Sequence, residues 1–118
     1  MNLYQEEILD HYKHPRNKKR LENPSKTVEA ANPVCGDKLG VDIVVKDGII
    51  VDIGFFGEGC AISQAAMSML SEELIGQPDS KLGEICSEYV LDLLGVPVGP
   101  SRLKCALLCL QIVDKIKQ

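Results

Sequence analysis

Apolar and polar residues alternate along two neighbouring stretches in the first half of the chain, residues 38–45 and 49–55. A period of two is typical of a β-strand that buries one face. The apolar positions that share a face are Leu39, Val41, Ile43 and Val45 in the first stretch and Ile49, Val51, Ile53 and Phe55 in the second. The pattern therefore predicts two strands that follow each other as a β-hairpin.

The loop of this hairpin contains Asp47 and Gly48, a pair that is typical of tight turns. A two-residue loop would set the apolar face of one strand against the polar face of the other. A three-residue loop, residues 46–48, pairs Val45 with Ile49 and keeps the apolar faces together. We therefore expect the longer loop, with Gly48 in the left-handed region of backbone conformation.

Helical spacing, with apolar residues three and four positions apart, marks four other stretches, residues 3–12, 60–75, 80–94 and 101–116. Proline or glycine follows the first three, and Ser101 is the expected N-cap of the last. Residues 26–31 predict a short third strand, and residues 14–24 form a polar, basic connection. This order predicts an α+β fold, with a small antiparallel three-stranded sheet and helices packed on one face.

Composition narrows the class of protein. The 118 residues are 45% hydrophobic and 25% charged, as expected for a single domain with an ordinary core over residues 1–118. Aromatic residues are scarce, at 4%, and the formal net charge is −4, so nucleic acid and anionic membranes are not expected as partners. Neither a signal peptide nor an apolar stretch of membrane-spanning length is visible, so we expect a cytoplasmic protein.

The chain contains five cysteines, an odd number that fits a closed disulfide framework poorly. Cys35, Cys60 and Cys105 lie far apart, with spacings of 25 and 45 residues, and Asp37 follows the first. Three thiolates and one carboxylate form a four-ligand set suited to zinc or to iron–sulphur chemistry. No local hairpin could assemble such a site, so it would depend on the complete fold.

The surroundings of Cys60 and Cys105 each allow two interpretations. Cys60 follows a Gly-x-Gly loop and opens a helix, where backbone N–H groups favour a thiolate, but it could also be a small buried apolar residue. Cys105 is expected in the first turn of the last helix, beside Arg102 and Lys104. Cations in a first turn oppose the helix dipole, and anionic sulphur nearby would explain their presence. The alternative is that both side chains simply point into water.

Cys35 and Asp37 are separated by one residue in an extended stretch, so their side chains can project to the same side. The alternative is an ordinary Asn-Pro turn with a solvated Asp37. Cys86 and Cys109 are expected inside helices as packing residues, with a ligand role for Cys109, one turn after Cys105, as the less favoured alternative.

In the first helix, Leu3, Ile8 and Tyr12 form the expected inward face. His11 and His14 lie near its polar end, and we expect both at the surface.

Four motifs in order, spread over almost the whole chain, resemble the U-type iron–sulphur cluster assembly proteins, the family of IscU, SufU and the N-terminal domain of NifU. They are Asp-His-Tyr-Lys-His-Pro-Arg-Asn at 10–17, Asn-Pro-Val-Cys-Gly-Asp at 32–37, Gly-Glu-Gly-Cys-Ala-Ile-Ser at 57–63 and Ser-Arg-Leu-Lys-Cys-Ala at 101–106. The resemblance implies an α+β fold and the ligand set Cys35, Asp37, Cys60 and Cys105 at one end of the sheet.

The resemblance also implies a scaffold or carrier rather than an enzyme. Its partners would be a cysteine desulphurase, which supplies sulphur, and apo-proteins, which receive a transient [2Fe–2S] cluster. Zinc would bind at the same place. We expect Cys105 to accept the sulphur, because Arg102 and Lys104 favour its thiolate and attract an anionic donor, with Cys35 as the second candidate.

Three features separate the chain from one or other branch of this family. Lys104 stands where IscU-type members have histidine, and residues 98–102 read Val-Gly-Pro-Ser-Arg instead of the motif that a dedicated Hsp70 chaperone recognises. That partner is therefore not expected. The Gly-Glu-Gly-Cys motif resembles SufU, whereas the spacing of 45 residues from Cys60 to Cys105 resembles IscU. A zinc-dependent sulphurtransferase and a structural zinc domain remain alternatives to the cluster scaffold.

Overall fold

A computed structural model describes residues 3–33 and 36–117. Within these ranges it contains three strands, five α-helices and one 3₁₀ helix, Asp79–Glu84. In chain order the strands and α-helices are α1 (Leu3–Lys13), β1 (Lys26–Asn32), β2 (Asp37–Lys46), β3 (Ile49–Glu58), α2 (Ala61–Leu74), α3 (Ser87–Leu94), α4 (Pro100–Ala106) and α5 (Leu108–Lys117). Among the described helices, none is both long enough and apolar enough to cross a membrane.

The three strands form one antiparallel sheet in the order β1-β2-β3. Alternate residues of β2 and β3 are fully buried on one face, where they pack with α2 and α5. This face carries Leu39, Val41, Ile43, Ile53 and Phe55. The expected α+β fold, a small three-stranded sheet with helices packed on one face, is confirmed.

The hairpin between β2 and β3 differs from the expected one. The pairs Val45–Ile50 and Lys46–Ile49 enclose a two-residue turn, in which Asp47 and Gly48 both have positive φ, at 52° and 76°. Two-residue turns of this type match the twist of the strands. The register then shifts between Val44 and Val45, which is a β-bulge.

The bulge resolves the conflict that had favoured a longer loop. Val44 pairs with Asp52 and Val45 with Ile50, so Val51 is the extra residue of β3. It restores the inward direction for Ile53 after the short turn. The apolar face of β3 therefore begins at buried Ile50, whereas Ile49 and Val51, which were expected on that face, are exposed.

The outer face of the sheet is covered by the basic connection before β1. Arg20 donates from Nε to Oδ2 of Asp42 at 2.8 Å, and its guanidinium lies 3.8 Å from the centre of the Phe56 ring. Asp42 is fully buried and also accepts from the Thr27 hydroxyl and the Leu21 N–H. The hydrogen bond from Arg20 is the main reason that the pKa of Asp42 falls to about 2.

Helix α1 buries a different face from the expected one. Ile8 is buried, but Leu3 and Tyr12 are exposed, and His11 is only 5% exposed. The ring of His11 lies against α2, with Nδ1 2.7 Å from the Ser68 hydroxyl. The expectation of a surface His11 was therefore wrong, because a neighbouring helix offers the imidazole a buried polar partner. His14 is exposed, as expected.

The stretch 80–94 is not one helix. It divides into the 3₁₀ helix and α3, and Cys86 is the exposed N-cap residue of α3. The prediction that Cys86 packs inside a helix was wrong. The 3₁₀ helix contains Gly83 and ends before Ile85. The backbone is extended at Ile85 and Cys86, which separates the 3₁₀ helix from α3.

The last predicted helix is also divided, at Leu107, into α4 and α5. Its N-cap is Gly99 and its first residue is Pro100, whereas Ser101 was the expected cap. At the break the N–H of Leu110 bonds to Leu107 instead of to the carbonyl of Ala106. That carbonyl accepts from the thiol of Cys109 at 3.5 Å. Cys109 is fully buried, as expected. Its thiol gives the Ala106 carbonyl the hydrogen bond that the N–H of Leu110 would supply in an unbroken helix.

Candidate metal centre

Asp37 is the first residue of β2, where it pairs with Asn32 at the end of β1. Its carboxylate is buried at 5% exposure. One oxygen, Oδ1, accepts from the backbone N–H of Cys60 at 3.2 Å, which ties the start of β2 to the start of α2. The other oxygen, Oδ2, is buried and has no hydrogen-bond partner among the described residues. A buried carboxylate oxygen of this kind is suited to a cation.

Cys60 is the N-cap of α2, with extended backbone angles of φ −72° and ψ 171°. Its sulphur accepts from the backbone N–H of Ser63 at 3.5 Å, and the Ser63 hydroxyl donates to the Cys60 carbonyl at 3.1 Å. The sulphur thus occupies the place that a Ser or Asp oxygen has in an ordinary cap. The expectation that Cys60 opens a helix, with backbone N–H groups facing its sulphur, agrees with this geometry.

Gly59 permits the close approach of these groups. A Cβ at this position would overlap the Ser63 hydroxyl and would lie 3.2 Å from the carboxylate carbon of Asp37. Any larger residue would therefore displace the Ser63 hydroxyl and crowd the Asp37 carboxylate. The second glycine of the Gly-x-Gly loop is accordingly a packing requirement of the site.

Cys105 reaches the site from a different direction. It is the sixth residue of the seven-residue helix α4, so its expected position in a first helical turn was wrong. The cause is the earlier start of α4, which begins at Pro100 with Gly99 as its N-cap, so that five residues of the helix precede Cys105. Cys105 is 4% exposed, whereas Arg102 and Lys104 are exposed. Lys104 lies in the last turn of α4, where a cation is favourable to the helix dipole, whereas Arg102 is still in the first turn, where a cation opposes it.

Ligand atoms of Asp37, Cys60 and Cys105 all lie within 4.8 Å of one another. A tetrahedral zinc ion separates two sulphur ligands by about 3.8 Å, and a small iron–sulphur unit needs somewhat more room. The spacing, the burial and the two soft donors beside one hard donor fit either group. Cys35, the fourth expected ligand, lies outside the described residues.

The other candidate residues are not part of this group. Cys109 is buried one helical turn beyond Cys105, and burial raises the pKa of its thiol to about 12. That thiol stays protonated and is a poor ligand. His11 is a polar core residue that the sequence interpretation missed. Its spacing of three from Ile8, on the same helical face, is the signal that could have indicated its burial.

Comparisons with known proteins agree with one another. A protein family described as NifU-like N terminal domain matches residues 3–116. The zinc-dependent sulfurtransferase SufU of Bacillus subtilis (strain 168) is 34% identical, over 96% of this chain and 88% of the relative. The iron–sulphur cluster assembly scaffold protein IscU 1 of Archaeoglobus fulgidus is 36% identical, over 79% of this chain and 61% of that relative.

The fold has counterparts among solved structures. A candidate iron–sulphur cluster assembly scaffold protein for the SUF system, from Fervidobacterium islandicum AW-1, superposes with a TM-score of 0.77 and 27% identity, covering 93% of each chain. A nitrogen-fixing NifU-like protein (N-terminal) from Brucella abortus gives a TM-score of 0.78 at 21% identity, which supports the fold alone.

Proposed function

The chain belongs to the family of NifU-like N terminal domains, and from this premise we propose that it is a scaffold on which a labile iron–sulphur cluster is assembled for transfer to apo-proteins. Sulphur would come from a cysteine desulphurase. The proposed ligands are Cys35, Asp37, Cys60 and Cys105, and the proposed cargo is a [2Fe–2S] cluster. We place the reaction in the cytoplasm, where thiols stay reduced.

One observation carries this proposal: two cysteine sulphurs and one carboxylate oxygen, from three separate elements, lie within 4.8 Å of one another in a buried place. Most iron–sulphur clusters that stay bound have four thiolate ligands. A carboxylate is a harder and weaker partner for thiophilic iron. A site with Asp37 among its ligands is therefore suited to cargo that must leave.

Sulphur acceptance requires a cysteine that can leave the ligand group. The acceptor thiolate attacks the outer sulphur of the donor persulphide, a new S–S bond forms, and the donor cysteine departs as a thiolate. The step involves no external oxidant or reductant. Cys105 remains the proposed acceptor, and because it is buried, α4 must open for the transfer. Cys35 is the second candidate.

A second function is favoured by the high similarity to the zinc-dependent sulfurtransferase of Bacillus subtilis. In this alternative, zinc holds the same ligands in place and one cysteine carries persulphide sulphur to another protein. No cluster would form on the chain. The closely grouped cysteine and aspartate donors suit zinc equally well.

Anaerobic reconstitution separates the two functions. The purified chain would be incubated with ferrous iron, L-cysteine and a cysteine desulphurase, and absorption, circular dichroism in the visible range and iron content would be followed. A scaffold gives a chromophore with two iron atoms per cluster, which an apo-ferredoxin then removes. A chain that keeps its zinc, forms no chromophore and still increases desulphurase turnover is a sulphurtransferase.

The acceptor is identified separately by mass spectrometry. After incubation with desulphurase and cysteine, without added reductant, the extra sulphur is expected on the peptide that contains Cys105. The variants Cys105→Ser and Cys35→Ser are compared with the parent. Persulphide that is undiminished in Cys105→Ser and lost in Cys35→Ser would transfer the acceptor role to Cys35.

A further inference from the structure

The sulphurs of Cys60 and Cys105 are close enough to react with each other. Both belong to the group whose ligand atoms lie within 4.8 Å of one another. A disulfide needs an S–S distance of about 2.05 Å, so an approach of roughly 3 Å or less would join the two sulphurs. The same pair that is suited to hold a metal is therefore also placed for thiol–disulfide chemistry.

The two cysteines are carried by elements that can move relative to each other. Cys60 is the N-cap of α2, and the N–H of Ser63 holds its sulphur in place. Cys105 belongs to the seven-residue helix α4, which packs on α2 and is separated from α5 by the break at Leu107. A small shift of α4 toward the start of α2 therefore closes the gap between the sulphurs.

Exposure separates the two sulphurs. Cys105 is 4% exposed, whereas Cys60 is half-buried. With α4 in its closed position, a persulphide on Cys105 is shielded from reductants in solution, while the Cys60 sulphur is already inside the site. Among the other described cysteines, Cys109 is fully buried and Cys86 is exposed at the start of α3, and neither belongs to the ligand group.

The proposed cargo requires a change in the oxidation state of sulphur. The outer sulphur of a persulphide is formally zero-valent, whereas cluster sulphur is sulphide, so each atom must gain two electrons. A thiolate that attacks the inner sulphur of the persulphide supplies them. A new S–S bond forms, the persulphide bond breaks, and the outer sulphur leaves with the bonding electron pair and takes a proton from water to become hydrosulphide.

We propose that Cys60 is the thiolate that releases sulphide from a persulphide on Cys105, by forming a disulfide between these two residues. This inference rests on the proposed function, in which Cys105 accepts the sulphur. The sulphide is freed beside the buried Oδ2 oxygen of Asp37, which is proposed to hold iron. An external dithiol then attacks the half-buried sulphur of Cys60, is itself oxidised to a disulfide, and restores both thiols.

The test follows the persulphide on the full chain after its metal has been removed with a chelator. A cysteine desulphurase and L-cysteine load the chain without oxygen, both are removed, and samples are alkylated at timed points with no reductant added. Methylene blue formation measures free sulphide, and peptide mass spectrometry under non-reducing conditions locates persulphides and disulfides. The parent should release one sulphide for each disulfide formed between Cys60 and Cys105.

Cys60→Ser removes the attacking sulphur but keeps a side chain that caps helices well, so α2 should remain intact. Its persulphide should persist, and sulphide release per loaded persulphide should be at least about tenfold slower than in the parent. Cys86→Ser is the matched control, because it makes the same change at an exposed helix cap outside the ligand group. This variant should release sulphide as the parent does, and far-ultraviolet circular dichroism checks both folds.

Several results in the parent alone would overturn the proposal, even if Cys60→Ser does not load. They are a persulphide that stays on Cys105, one that moves to Cys60 without release of sulphide, and one that forms on Cys35 or ends as a disulfide between Cys35 and Cys105. Release by Cys60→Ser at the rate of the parent overturns it as well.

Cluster formation from ferrous iron and inorganic sulphide tests the proposed function separately, because it needs no persulphide. A parent that forms this cluster but keeps its persulphide is a scaffold in which Cys60 does not release sulphide. A parent that releases sulphide and forms the disulfide, but builds no cluster, supports the role of Cys60 and contradicts the scaffold function.

Discussion

At the scale of single residues, the two oxygens of Asp37 have different surroundings. One accepts the N–H of Cys60, and the other is buried without a hydrogen-bond partner among the described residues. The first contact fixes the orientation of the carboxylate, and the second oxygen is then directed to whatever occupies the site. The N–H contact gives Asp37 a structural role, and its second oxygen is the atom proposed to act as a ligand.

Asp37→Ala should retain the fold but exchange its metal faster. Removal of the oxygen ligand leaves an open coordination position, so a competing chelator can attack the ion directly. We expect zinc to move to the chelator several-fold faster than from the parent, as measured with a chromogenic chelator under stopped flow. The exposed residue Asp92 provides the control, and equal rates for Asp37→Ala, Asp92→Ala and the parent would show that Asp37 is not a ligand.

Asp42 should control the stability of the chain in acid. Its pKa of about 2 lies below the ordinary value of 3.8, so the folded state favours the charged carboxylate. This stabilisation is complete above about pH 4 and is lost as the pH falls toward 2. Asp42→Asn should lower the free energy of unfolding at neutral pH by about 1–3 kcal/mol and flatten the acid slope. Urea unfolding at several pH values measures both, and an unchanged slope contradicts the assignment.

At the scale of elements, a polar contact joins α1 to α2. Nδ1 of the His11 ring contacts the Ser68 hydroxyl, and Nε2 lies 3.4 Å from a carboxylate oxygen of Glu72. The N–H of Arg16 donates to the same Ser68 hydroxyl, so the end of α1 and the following turn share one partner on α2. Burial is the main cause that lowers the pKa of His11, with the charge of Arg16 as a further cause and Glu72 opposing both.

The packing of α1 on α2 should weaken in mild acid. Because the pKa of His11 is lowered in the folded state, protonation favours the unfolded state, and stability falls as the pH decreases through 6.5. We expect the free energy of unfolding to decrease between about pH 7 and pH 5.5. His11→Gln should remove much of this slope, and His14→Gln, which changes the exposed histidine, should keep it. Identical slopes in both variants would exclude His11 as the cause.

At the scale of the whole molecule, the site joins segments that are distant in the chain. Asp37 begins β2, Cys60 caps α2 and Cys105 lies in α4, next to the helix break. An ion held by all of them binds the folded chain only, because the unfolded chain has no such group of ligands. The free energy of binding is then added to the free energy of unfolding.

Removal of the metal should therefore lower the melting temperature. With zinc in large excess over its dissociation constant, the loss should amount to about 5 °C or more. Differential scanning calorimetry before and after treatment with a strong chelator measures the change, with zinc content checked by atomic absorption. Cys60→Ser should respond less than the parent. An unchanged melting curve after confirmed metal removal would show that the site contributes nothing to the fold.

Local patterns in the sequence determined several strands and helices of this protein and its family. The period of two predicted β2 and β3, and the helical spacing predicted α1 and α2. Both patterns arise because only apolar positions of a strand or helix can face the core. The cysteine and glycine motifs indicated the family, and they led to the proposed ligand residues. These features follow from properties of neighbouring residues, so they can be read without the fold.

Only the tertiary structure decided how these pieces meet. The bulge at Val51 arises because a two-residue turn and a common apolar face cannot both be kept without one extra residue. His11 is buried because Ser68, 57 positions later, offers its ring a partner. Cys105, in α4, lies near Asp37 and Cys60, across 45 and more residues of chain. Such contacts depend on the relative positions of whole elements, which no local spacing encodes.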